Sequence, residues 1–167
     1  YADDLEILRH ELHLDRMDVF GHAHGGLIAA TYAKQFSDHV DHVIIDGAPV
    51  RPIEEFDNWP ASDVPDYFDG YDERASSYMT QHMGRMYEPA MAWFWDHEST
   101  TDFRRLIAGV RAPMLLVTGD KDPMAGPAAV ESLVRSMPDA ASCVIPNAGH
   151  FAWVENPLAY AEAVEEF

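Results

Sequence analysis

Cysteine is almost missing from these 167 residues, with Cys143 the only one. No disulfide can close within the chain, and a reducing, cytoplasmic setting is the expectation. Basic residues are scarce too: 11 Lys and Arg stand against 29 Asp and Glu, a formal net charge of −18. A surface that acidic repels phosphate backbones and anionic headgroups, so neither nucleic acid nor membrane is expected as a partner. No apolar run approaches the roughly 18 residues a membrane span needs. The opening Tyr1-Ala2-Asp3-Asp4-Leu5 has neither the basic start nor the apolar stretch of a signal peptide. It reads as the start of a helix, as if the chain began in the middle of something. Internal repeats and low-complexity tracts are lacking as well.

What is present is a globular composition, 47% apolar and 11% aromatic, enough for one domain with a real core. Leu5, Ile7, Leu8 and Leu12 fall at helical spacing over Ala2 to Leu12. Met17 to Phe20 reads as a short strand, Gly21 to Gly26 as a sharp turn, and Leu27 to Phe36 as an alanine-rich helix. A second strand, His42 to Asp46, closes at Gly47-Ala48-Pro49. From Arg51 to about Glu98 strand periodicity stops and acids and aromatics crowd together, as in an inserted, largely helical segment. Met114 to Thr118 is a buried strand, and Pro127 suits the first turn of a helix reaching Met137. Ser142 to Ile145 makes a last strand, and Pro157 to Phe167 a closing helix. Short apolar strands alternating with helices imply a mostly parallel sheet covered on both faces.

Three places carry candidate chemistry. Gly21-His22-Ala23-His24-Gly25-Gly26 lies directly after a strand and directly before a helix. That is the setting of the Gly-x-Ser-x-Gly elbow, in which the middle residue is held in a strained turn. The glycines are expected because its neighbours leave no room for side chains. Here the middle residue is Ala23. The backbone N–H of His24, at the helix start, would point at an oxyanion forming over position 23. On its own a glycine-rich turn is a weak signal. The second place is Gly119-Asp120-Lys121-Asp122-Pro123, at the carboxyl end of a strand, where catalytic groups of open α/β sheets collect. Asp122 is the choice for a carboxylate that accepts a histidine Nδ1–H, with Asp120 the competitor; an ordinary turn would use the same residue types. The third is Asn147-Ala148-Gly149-His150-Phe151, which puts His150 on a loop at another strand end. His22-x-His24 has no obvious third ligand, so no metal is expected. Elbow, acid and histidine in that chain order are the order of a Ser-His-Asp triad on this kind of sheet.

At these residues the sequence resembles the α/β-hydrolase family. Val19 to Gly26 is similar to its nucleophile elbow, Leu115 to Pro123 to its acid loop, and Gly149 to Pro157 to its histidine loop. The resemblance runs from Leu14 to Val50 and from Val110 to Phe167, and its flavour is nearest the proline iminopeptidase-like and esterase branch. It implies a core of residues 1–50 and 108–167 and a helical cap over residues 51–107. Position 23, Asp122 and His150 would then be the catalytic set, with the His24 N–H in the oxyanion hole. His22, Trp59, Trp93 and Phe151 would contact a small ester, amide or short-peptide substrate, and no cofactor is implied. Nothing in the chain corresponds to the family's first strands, so a separate chain or segment is expected to complete the sheet.

Alanine at position 23 cannot attack a carbonyl, and loss of a triad nucleophile costs on the order of 10⁶ in kcat. The preferred reading is an ester or amide hydrolase in which serine has been replaced by alanine, leaving this chain inactive. The alternatives are a natural non-catalytic binding protein, or a cofactor-free lyase or oxygenase that uses His150 as its base.

Overall fold

A computed structural model of the chain describes residues 1–49, 67–82, 89, 102–135, 137 and 139–167. Among these residues four strands form one sheet, all parallel and in sequence order: β1 (Met17–His22), β2 (Val40–Asp46), β3 (Met114–Gly119) and β4 (Ala140–Ile145). Parallel neighbours need a crossover between them, and helices supply it. The helix α1 (Ala2–Glu11) precedes β1, and α2 (His24–Gln35) joins β1 to β2. Between β2 and β3 come α3 (Glu73–His82) and the short α4 (Phe103–Ile107). The helix α5 (Pro127–Val134) leads to β4, and α6 (Ala152–Glu155) and α7 (Pro157–Glu165) follow it.

The sheet is covered on both faces, and β3 shows how the sequence arranges this. All six of its residues are buried. Met114 and Leu116 join the core of α2, α4 and α5, around Leu27, Tyr32, Phe103, Ile107, Val130 and Leu133. Leu115 and Val117 face the other way, into a core with Ile145, Ala148 and Ala152 against Tyr160, Ala163 and Phe167. A strand buried on both faces reads as an unbroken apolar run, which is why it is legible without alternation.

The element borders shift from the sequence reading where backbone pairing decides them. β1 continues past Phe20 to His22 because Gly21 and His22 pair with Ile45 and Asp46. α2 already starts at His24, so the turn expected over Gly21 to Gly26 contracts to one residue, Ala23. α5 stops at Val134, short of Met137. The closing helix is preceded by the separate turn α6, and Asn156 caps α7 by accepting from the Ala159 N–H.

Among the described residues, β1 has no strand on its outer edge. Phe20 on that strand is 54% exposed, and Ile7 and Leu8 of α1, with Leu12 just after it, are each more than half exposed. Of the segment expected as a cap, residues 67–82, 89 and 102–107 are described; they include α3 and α4. α3 packs by Ala75 and Met79 on Phe68, Phe151 and Val154. Trp59 and Trp93 lie outside the described residues. No helix among the described residues is long and apolar enough to cross a membrane.

Candidate active site

The elbow is held by crowding. A Cβ on Gly21 would sit 2.1 Å from the Gly25 carbonyl oxygen, and one on Gly26 would sit 2.7 Å from the Ala48 Cβ. Neither position tolerates a side chain, so β1 and α2 approach more closely than any other residue would allow. Gly25 itself faces open space, and its contribution is the carbonyl that walls off Gly21. Between them Ala23 adopts φ 50° and ψ −120°, a conformation L-residues rarely take. Its N–H donates to the Asp46 carbonyl at 2.8 Å, and its own carbonyl accepts from Gly26 N–H at 2.9 Å. His24 is the first residue of α2, in the turn whose backbone N–H groups take no part in the helix ladder.

The acid loop separates its two aspartates by role. Asp120 Oδ1 accepts from Ala148 N–H at 3.1 Å, and the Asp120 N–H donates to the Ile145 carbonyl. Asp120 therefore ties the end of β3 to the histidine loop, and the Ala148 bond holds its carboxyl below the usual range. Asp122 is 5% exposed and faces inward, with Oδ1 accepting from the N–H groups of Met124 (2.7 Å) and Ala125 (3.2 Å). Its Oδ2 lies 3.2 Å from His150 Nδ1. Of the two candidates, Asp122 is the one paired with the histidine.

His150, 4% exposed, is fixed from three sides. Its N–H donates to the Tyr67 carbonyl at 2.6 Å. Gly149, where a Cβ would lie 2.4 Å from the Tyr67 oxygen, lets that segment come close. Gly47, at φ 57°, leaves the ring its space: a Cβ there would be 3.0 Å from His150 Nδ1 and 3.3 Å from Asp122 Oδ2. The same β2 terminus thus carries the Asp46 carbonyl that holds Ala23 and the glycine that admits His150, so elbow and histidine converge on it.

A hub that sequence reading left without a role is Glu155. Its Oε2 accepts from Gly149 N–H at 2.7 Å, and its Oε1 from Asp69 N–H (2.7 Å) and Gly70 N–H (3.1 Å). It lies inside the histidine-loop motif, but only the fold brings residues 69 and 70 to it. Asp46 was missed as well, although it stands at a strand's carboxyl end, as the acid loop does. Phe151 is 5% exposed and stacks on Phe68 with ring centroids 5.0 Å apart, so the geometry gives it a packing role. His22 turns Nδ1 to Asp46 Oδ2 at 2.8 Å. Burial pushes its imidazole downward and the Asp46 carboxyl upward. Among the described residues no group of three or more His, Cys, Asp or Glu is arranged to hold a metal.

The model of the alpha/beta hydrolase family matches residues 1–163, nearly the whole chain. The chain belongs to that family. None of the curated proteins matches it in sequence. Solved structures agree with the fold. An alpha/beta fold family hydrolase from Bacillus anthracis str. Sterne superposes with a TM-score of 0.80 at 17% identity, over 99% of this chain and 72% of its own. A proline iminopeptidase-related protein from Thermus thermophilus gives 0.75 at 21% identity, over 99% and 68%. Est816, described as an N-acyl homoserine lactone degrading enzyme, gives 0.66 at 19% identity, over 99% and 73%. At these identities the likeness is one of hydrolase fold.

Proposed function

We propose that this family member is a hydrolase of carboxylic esters or amides, working by acyl transfer to water, with position 23 as the site of its nucleophile. The observation that supports this most is the buried His150–Asp122 pair beside an elbow residue at positive φ. In the serine form, Oγ at position 23 attacks the carbonyl carbon while His150 takes its proton. Asp122, bonded to Nδ1, fixes the tautomer so that Nε2 is the free base and stabilises the imidazolium. The His24 N–H, with the α2 dipole behind it, takes the oxyanion. Collapse of the tetrahedral adduct sends the proton from Nε2 to the leaving group, and water, deprotonated by the same nitrogen, releases the acid. The substrate is a small ester, amide or short peptide, with Trp59 and Trp93 as proposed contacts, in a cytoplasmic setting. The structural likeness to the Thermus protein favours a proline iminopeptidase-like or esterase branch. The open edge of β1 and its exposed apolar neighbours support a further segment or chain pairing there.

A second reading is favoured by Ala23 alone: a binding protein that uses the same pocket without turnover. A23S decides between them. Assayed beside the alanine form on p-nitrophenyl esters and aminoacyl arylamides, A23S should turn over substrate about 10⁶ times faster. Binding without turnover by both forms would make the second reading correct. Equal activity in both would move the chemistry to His150 alone.

A further inference from the structure

Behind His150 stands a second Asp–His pair. His22 Nδ1 and Asp46 Oδ2 are 2.8 Å apart, closer than the 3.2 Å of the His150–Asp122 pair. The rings of His22 and His150 lie 4.5 Å apart, tilted by 49°. Trp153 meets His22 edge-on at 4.5 Å, and Phe151 lies tilted against His22 at 5.3 Å, so the His22 ring is wedged between the aromatic cluster and His150.

Asp46 is an expensive residue to place there. It is 1% exposed, and its Oδ1 has no hydrogen-bond partner among the described residues. An apolar side chain would fill a strand end without that desolvation cost. Beside its pairing in the sheet, two of its polar contacts go to the elbow: the carbonyl holds Ala23 N–H, and the carboxylate holds His22, the residue before. The ionisable groups facing the pair are His150 and Asp122 from their loops, with Tyr160 of α7 also sensing the Asp46 charge. Asp46 thereby joins the elbow backbone to the back of the histidine ring.

We propose that Asp46 is a positioning residue, one that clamps the elbow by two bonds and holds His22 as a backstop that fixes the ring of His150 relative to position 23. The proposal rests on the hydrolase reading for its kinetic consequence, and on geometry alone for its structural one.

The test uses D46L, which removes the acceptor, D46N, which leaves an oxygen for the His22 Nδ1–H, and H22F, which keeps a ring and deletes the bond from the other side. In the chain as it stands, ¹⁵N spectra of labelled histidines should show His22 as the Nδ1–H tautomer. The ring nitrogens of His150 should shift in D46L and H22F and stay in place in D46N. In A23S, D46L and H22F should lower kcat per folded molecule about 10-fold to 100-fold with little change in KM, as a small misplacement does, and D46N should restore most of it. If D46L does not fold, H22F carries the same comparison. His150 nitrogens that do not move in a folded variant overturn the proposal, and so does an unchanged kcat in an active A23S background. If A23S is inactive while the nitrogens shift as stated, the hydrolase reading fails and the clamp stands.

Discussion

Ala23 sits at φ 50° and ψ −120°, half-buried, with its methyl group outside both cores. Holding a non-glycine residue in such a region costs about 1–3 kcal/mol. Glycine takes the same angles without that cost, but loses about 0.4–1 kcal/mol more chain entropy on folding. The half-exposed methyl adds little to either side. A23G should therefore stabilise the protein by about 0.5–2 kcal/mol. For a domain of this size each kcal/mol moves Tm by about 2–4 °C. The matched control is A30G, the same change inside α2 at a fully buried position. There glycine costs about 1 kcal/mol relative to alanine before the lost packing is counted. Thermal unfolding followed by far-ultraviolet circular dichroism measures both. Opposite signs at the two positions are the expected result. A Tm that falls in A23G as far as in A30G would mean that residue 23 is relaxed, and the strained-elbow argument would be lost.

The two aspartates of the acid loop should separate cleanly. In an A23S background D122N lowers kcat by about 10⁴, because the amide holds the wrong tautomer of His150, whereas D120A mainly lowers stability, by about 1 kcal/mol for its lost Ala148 bond. E155A removes the acceptor of the Gly149, Asp69 and Gly70 amides, so hydrogen exchange at these three should accelerate about 10-fold or more while β3 stays protected. Equal acceleration everywhere would mean global destabilisation instead. Glu6, bonded by Arg9 and by the Tyr32 hydroxyl, is held at about 2, below its ordinary value of 4.5. A lowered carboxyl stabilises the fold above its unfolded value, and that contribution fades as pH falls through the window from about 4.5 to 2. E6Q should flatten the stability profile there and leave it unchanged in shape above about pH 6; an unaltered acid limb would refute the assignment.

How much of this was legible beforehand follows from how far each feature reaches along the chain. The strand Met114–Gly119 could be read from its own residues, because burial on both faces leaves an apolar run. The pairing of Asp122 with His150 could be read because both stand at strand ends in the order this fold uses. Asp122 was preferred to Asp120 from the sequence, and the coordinates supply the reason that a turn rich in Asp, Gly and Pro does not show: Asp122 faces His150, while Asp120 is tied to the Ala148 N–H. Glu155 and Asp46 were illegible. Each acts on backbone amides or rings brought to it by tertiary folding, 85 residues away for Gly70 and 24 for His22. The borders of β1 and α2 moved because inter-strand pairing outranks local propensity at the elbow.

The elbow also explains how alanine can stand at position 23 without the site losing its form. Its angles are dictated by what surrounds it: Gly21 against the Gly25 carbonyl, Gly26 against Ala48, the Asp46 carbonyl on its N–H, and the first turn of α2. None of these contacts involves the side chain of residue 23. The backbone therefore holds the same strained geometry whichever small residue is placed there, and the His150–Asp122 pair is fixed by Tyr67, Gly47 and the 124–125 amides, again without reference to it. A serine introduced at this position would meet the same backbone contacts and the same fixed imidazole, with none of them needing to rearrange. That independence makes A23S a test of chemistry rather than of folding, and the strain measured by A23G and the activity gained by A23S should accordingly vary independently of each other.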